Sequence, residues 1–101
     1  MQGIVIQYAY SGDEAQWREI IDGFVADIDA DPKLKGLFSY EVNVAADGVS
    51  RVHIGRWEKD ETLAYLQSQD FFKTFAGRVQ GFASDGVSAQ RFGRVTSTAG
   101  A

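Results

Sequence analysis

The feature that most constrains this chain is a pair of alternating runs, residues 37–44 and 49–57, joined through Ala45-Ala46-Asp47-Gly48. Asp-Gly between two such runs is a strong hairpin signal, because the turn needs a residue that accepts positive φ. A turn centred on Asp47-Gly48 sets Val44 opposite Arg51, Val42 opposite His53, Tyr40 opposite Gly55 and Phe38 opposite Trp57, and a four-residue loop that shifted the pairs would keep the faces. One face then carries Phe38, Tyr40, Val42, His53 and Trp57. The reverse carries Leu37, Ser39, Glu41, Asn43, Val52, Ile54 and Arg56, with Glu41 and Arg56 placed as a diagonal ion pair.

The rest of the chain arranges itself around this hairpin. Ile4, Ile6, Tyr8 and Tyr10 alternate with Val5, Gln7 and Ala9, a first strand with neither face wholly polar. Ser11 and Glu14 suit a capping box, and Trp17, Ile20, Ile21, Phe24, Val25 and Ile28 recur at helical spacing. Gly23 within that helix implies close packing against a neighbour, and Asp31-Pro32 ends it. Lys59 or Asp60 opens a second helical region carrying Leu63, Leu66, Phe71, Phe72, Phe75, Val79 and Phe82, with a break at 68–70. A turn at 83–86 leads to a last strand, 87–95.

The order βαββαβ is that of an α+β ferredoxin-like sandwich, an antiparallel sheet with helices on one face. A single domain spans 1–95, and the small residues of 96–101 form a loose tail. Helices on one face leave Val52, Ile54 and one alternation set of the first strand uncovered on the other. A second copy of the chain is the expected cover, which makes a homodimer.

The charge balance narrows the partners. Of 101 residues only ten are Lys or Arg, scattered, against fourteen Asp or Glu, so no basic stripe exists for a phosphate backbone and nucleic acid is not expected. Cysteine is absent, which excludes disulfides, thiolate nucleophiles and iron–sulfur ligation. MQGIVIQYAY has neither a basic start nor a long apolar segment, so no signal peptide or membrane span is read and the cytoplasm is expected. Aromatics make up 13% of the chain, enough for a ring-lined pocket.

His53 is the only histidine and so the only side chain with an unperturbed pKa near neutrality, suited to act as a general base. Gly55 opposite Tyr40 would leave a hollow bordered by Tyr40, His53 and Trp57 beneath the helical Phe residues, fit for a flat aromatic. The alternative is that Gly55 accommodates a bulky core ring and His53 hydrogen-bonds a backbone carbonyl. Other patterns fail: Asp27, Asp29 and Asp31 are spaced like a calcium loop start, but Pro32 stands where the turn needs Gly and Phe38 where the bidentate Glu belongs. Ser50 and His53 lie on opposite strand faces, and Gly77 and Gly81 lack the lysine and spacing of a phosphate loop.

The segment RWEKDETLAYLQSQDFFKTF, residues 56–75, joins a strand-end Trp to an acidic helix start and an S-x-x-F motif at 68–71. It resembles the antibiotic biosynthesis monooxygenase (ABM-like) family of dimeric α+β barrels. The resemblance implies a cofactor-independent oxygenase acting on a quinol, anthrone or polyphenol, with His53 and Trp57 catalytic and Tyr40, Phe38, Tyr65, Phe72 and Phe75 around the small aromatic substrate. The chain departs from the family pattern at three places: Tyr65 stands where a His is frequent, Gln69 replaces a frequent Pro, and His53 occupies the place of an Asn four residues before the Trp. Heme-degrading relatives need a helix-borne His, which 60–83 lacks, so no cofactor or metal is expected. A non-catalytic dimeric barrel that binds an apolar metabolite, or serves as an assembly module, is the competing expectation.

Overall fold

A computed structural model describes residues 1–100; Ala101, the end of the expected tail, lies outside the described residues. Four strands and three helices run in the order β1 (Gln2–Ala9), α1 (Glu14–Ala30), β2 (Phe38–Val44), β3 (Ser50–Trp57), α2 (Asp60–Ser68), α3 (Asp70–Phe82) and β4 (Ser88–Gly93). The sheet order is β2-β3-β1-β4 with every neighbour antiparallel, the ferredoxin-like α+β arrangement. The second helical region is broken at Gln69, whose extended backbone separates α2 from α3.

The hairpin register is the one its sequence dictates. Phe38 pairs with Trp57, Tyr40 with Gly55, Val42 with His53 and Val44 with Arg51. Ala45 and Ser50 extend the ladder by one bond, so the loop is the four residues 46–49, with Gly48 at φ +75°. Asp47 fastens it, accepting from the Val49 and Ser50 backbone N–H groups and the Ser50 hydroxyl. Those three donors, the Ser50 hydroxyl foremost, hold the Asp47 carboxyl down to about 2.

Register also decides which set of β1 faces the helices. Ile4, Ile6 and Tyr8 lie opposite Gly55, His53 and Arg51, so they join the helix-covered face. There Trp17, Ile21, Phe24 and Ile28 of α1, spaced four, three and four apart, are buried with Leu66, Phe75 and Val79 of α2 and α3. Phe24 and Phe75 stack with centroids 3.8 Å apart, joining α1 to α3. Burial of each such side chain contributes about 1.5–3 kcal/mol relative to leaving it in water.

Two local expectations are corrected. The helix N-cap is Asp13, whose side chain accepts from Gln16 N–H; no Ser11–Glu14 box forms, because Glu14 reaches across to Arg51 instead. Gly23 has open space where a Cβ would stand, so close packing is not its reason.

The reverse face of the sheet has no helix on it. Val5, Val52, Ile54 and Phe92 stand there half-buried, and Glu41 and Arg56 pair at 4.0 Å. The Phe92 ring lies over Gly3, where a Cβ would come within 2.1 Å of its Cζ. No helix among the described residues is long and apolar enough to cross a membrane.

Candidate functional site

Alternate residues of β3 carry the chemistry of the helix-covered face: Arg51, His53, Gly55 and Trp57, each buried. At the Arg51 end the polar groups are fully partnered. Arg51, with no side-chain exposure, forms an ion pair with Glu14, donates to the Tyr10 carbonyl at 3.1 Å and stacks 4.4 Å from the Trp17 ring centroid. Its hydrogen bonds hold the exposed Glu14 carboxyl below the usual range.

His53 sits next along the strand with no exposed surface. Its Nε2 lies 2.8 Å from the Tyr8 hydroxyl and its Nδ1 2.7 Å from the Tyr40 hydroxyl, and Trp17 Nε1 donates to Tyr8 Oη at 2.8 Å. Burial pushes the imidazole down to about 4, so at neutral pH it carries one proton. Donor counting assigns that proton. Tyr8 Oη already accepts from Trp17, and the acceptor within reach of its own hydrogen is His53 Nε2; the imidazole proton therefore sits on Nδ1 and is donated to Tyr40 Oη. Tyr40 is left with a hydroxyl hydrogen that no protein group claims. Burial raises the pKa of the Tyr40 phenol well above its ordinary value, so it stays protonated.

Beyond Tyr40 the packing opens into a cavity of about 200 Å³ between the helix-covered face of the sheet on one side and α2 and α3, with Phe24 of α1, on the other. Ile4, Ile6, Phe38, Tyr40, Trp57 and Phe72 are among its walls, with Gln67, Gln80 and Arg91 as polar additions. Trp57 stacks on Phe38 at 5.6 Å and 7°. Its Nε1 is the buried side-chain polar atom among the described residues that has no hydrogen-bond partner. That N–H is also closed to water, so a ligand oxygen reaches it only if a neighbouring side chain shifts.

The expected site residues divide accordingly. Tyr40, Phe38, Trp57, Phe72 and Phe75 border the cavity; His53 does not, and stands behind two of its walls, hydrogen-bonded to Tyr40 and with its ring 6.0 Å from that of Phe75. The hollow expected at Gly55 is filled: a Cβ there would lie 3.1 Å from Phe38 Cζ and 3.4 Å from both Ile4 and Tyr40. Void space lies instead beyond those rings. Tyr65 is on another surface, donating to Asp31 Oδ2 at 2.6 Å beneath Lys33. Sequence reasoning missed Tyr8 as a partner of His53, Trp17 as the donor to Tyr8, and Arg91 as a cavity residue. The pairing of Tyr8 with Arg51 and of Ile4 with Arg91 was the available signal, but it needs the β1 register, which no short turn fixes.

The sequence matches no protein-family model and no curated protein. Solved structures do match. SnoaB, a cofactor-independent oxygenase from Streptomyces nogalater, superposes with a TM-score of 0.75 at 15% identity over 95% of this chain and 94% of its own. An antibiotic biosynthesis monooxygenase gives 0.67 at 12% identity over 95% and 100%, and a dimeric ferredoxin-like protein of unknown function from Jannaschia gives 0.66 at 10% over 93% and 100%. The chain has the ABM-like fold. The fold expected from residues 56–75 is thus present over nearly the whole chain, while activity has to be argued from the site.

Proposed function

We propose that this protein is a homodimeric, cofactor-independent monooxygenase that oxidises an electron-rich aromatic, such as a quinol, anthrone or polyphenol, with dioxygen. The observation that carries this reading is Tyr40: it is a wall of a ring-lined cavity, and its hydroxyl keeps an unclaimed hydrogen because His53 donates to its oxygen. Donation from Tyr40 to a substrate phenolic oxygen stabilises the phenolate as charge develops. His53 acts here as a positioning residue rather than as the base that meets substrate. The phenol releases its proton to water at the cavity mouth, the phenolate passes one electron to dioxygen, and the resulting radical and superoxide combine at a ring carbon as a peroxide that takes a proton back. At a ring methylene the hydroperoxide loses water, so the carbon gives up two hydrogens and gains one oxygen while the second oxygen leaves in water. No external reductant is required. Apolar walls exclude water from the radical pair, and Trp57 with Phe38 supplies the stacking surface.

The uncovered Val5, Val52, Ile54 and Phe92 support a second copy of the chain on the reverse face, and the Jannaschia neighbour is dimeric. A single-chain species by sedimentation at micromolar loading would remove the dimer from this reading.

The deciding experiment supplies labelled dioxygen to metal-free protein with a panel of hydroquinones and anthrones. One labelled atom should appear in the product and one in water, and Tyr40→Phe should lower turnover by roughly 100-fold while substrate still binds, the scale of losing one preorganised donor. Oxygen uptake no faster than in protein-free solution would refute the oxygenase. The second reading, a barrel that binds an apolar metabolite without turnover, draws on the enclosed Trp57 N–H and the scarcity of polar groups in the cavity wall. Its signature is binding across the panel without uptake.

A further inference from the structure

Arg91 is not used by the chemistry above, yet its position is specific. Pairing with Ile4 turns it to the helix-covered face, where it is both exposed and part of the cavity lining, which places it at the mouth. Its guanidinium carbon sits 4.8 Å from the Trp57 ring centroid, opposite a wall residue that stacks in turn on Phe38. One of its N–H groups donates to Gln2 Oε1 at 3.2 Å, and Gln2 Nε2 donates to Asp60 Oδ1 at 2.7 Å, so the head is held by a neutral amide. Arg18, Arg51 and Arg56 each pair with a carboxylate; Arg91 has none among the described residues. The remaining donors of the guanidinium fork are available to an incoming group. A planar fork of this kind matches a carboxylate in two parallel bonds.

The surroundings make the position meaningful. With a formal net charge of −4 the molecule as a whole repels anions, so an unpaired cation on the lip of its apolar cavity is a local reversal of sign. The wall behind it is aromatic and aliphatic, suited to a flat ring. We propose that the cavity takes an aromatic carboxylate, with its ring against Trp57, Phe38 and Phe72 and its carboxylate on Arg91 at the mouth. This rests on the cavity being the substrate site and names the class of substrate: an aromatic acid whose phenolic end reaches Tyr40.

The test is run without dioxygen, so that binding is separated from turnover. The full chain is titrated with 6-hydroxy-2-naphthoate and with its methyl ester, which keeps the ring, the phenol and nearly the same size but removes the charge. The acid should bind roughly tenfold tighter than the ester, the scale of a charge-assisted bond at a part-exposed site. Arg91→Gln should bring the two affinities together, Arg91→Lys should leave a reduced preference, and Arg78→Gln, which removes a cation from α3 away from the cavity, should keep the preference intact. Melting curves establish that each variant is folded. Equal affinities in the unaltered protein, failure of both probes to bind, a preference that survives Arg91→Gln or one that vanishes in Arg78→Gln would each overturn the proposal. Its fate is separable from that of the oxygenase reading: acid preference without oxygen uptake on the quinol panel leaves Arg91 standing and removes the oxygenase, and uptake without acid preference does the reverse.

Discussion

Two ends of the same sheet face treat buried polar groups in opposite ways. At the Arg51–His53 end, Trp17, Tyr8, His53 and Arg51 are all buried and the donors and acceptors find one another at 2.8 Å and similar distances. At the Trp57 end, an indole N–H is enclosed without a partner beside a cavity of about 200 Å³. Three strand residues separate His53 from Trp57, so the contrast is not between surface and core. A satisfied network holds one geometry because each lost bond leaves another group stranded, whereas the loosely filled end can accept a ligand without breaking anything. Rigidity and space are adjacent, and Tyr40 is the residue that belongs to both.

The sharpest way to break this comparison is Tyr8→Phe. Removing one hydroxyl leaves both Trp17 Nε1 and His53 Nε2 without partners in a site closed to water. Each stranded group costs about 1–3 kcal/mol, so the variant should lose roughly 2–6 kcal/mol of unfolding free energy in urea titrations. A loss under about 1 kcal/mol would mean that the network contributes little and that the two ends do not differ in this way.

A smaller effect follows from pH. The folded pKa of His53 lies near 4, below the ordinary value of an unfolded chain, because burial disfavours the charged ring. The unfolded state therefore binds the extra proton first, and stability contributed by the neutral imidazole is complete above the unfolded pKa of about 6.5 and is lost as pH falls toward the folded value. The loss should be on the order of 3 kcal/mol across that window. The lowered carboxylates Asp31 and Asp47 act below it, and Glu14, whose ordinary value is 4.5, at its lower edge. His53→Gln retains one donor and one acceptor but has no proton to gain, so its urea midpoint should be nearly flat over the upper part of the window, above the carboxylate range. Parallel acid sensitivity in the two proteins would place the titrating group elsewhere.

The two ends were also unequally legible in the sequence. The hairpin face with Phe38, Tyr40, His53 and Trp57 could be read because a tight turn at Asp47-Gly48 fixes register and period-two alternation fixes the faces. Helix α1 was legible from its apolar stripe, and the ferredoxin-like order from the succession of elements. What could not be read was anything depending on β1, which joins β3 from 41 or more residues away, and on β4, which joins β1 from 81 or more, neither through a short loop. That is why Tyr8 was not placed on His53, nor Arg91 on Trp57. Gly55 left two readings open, a hollow or a packed ring, because a missing side chain marks close approach as readily as empty space; Phe38, Tyr40 and Ile4 move in, so the second holds. Tyr65, expected beside the substrate from the family resemblance alone, donates instead to Asp31 on another surface.

The smallest expected effect is at the other end of the comparison, where Trp57→Phe keeps a ring on Phe38 while deleting the enclosed N–H. Two terms oppose each other. The lost part of the indole widens a space that already exists, so apolar burial falls by a fraction of the ~1.5–3 kcal/mol carried by a whole side chain. The removed donor was unpaired, and relieving it returns a similar amount. The net change in urea titrations should stay within about 1 kcal/mol of zero, against several for Tyr8→Phe, although both are aromatic substitutions that delete one polar group from a buried ring. A loss above about 2 kcal/mol would show that the Trp57 N–H is bonded in solution, making both ends alike. Arg91 sharpens the reading further, since it stacks on the ring that is being trimmed. If Trp57→Phe leaves stability alone but weakens the preference for an aromatic acid over its ester, the indole serves to hold the guanidinium at the mouth, and the end of the sheet that contributes least to folding is the one that sets what enters.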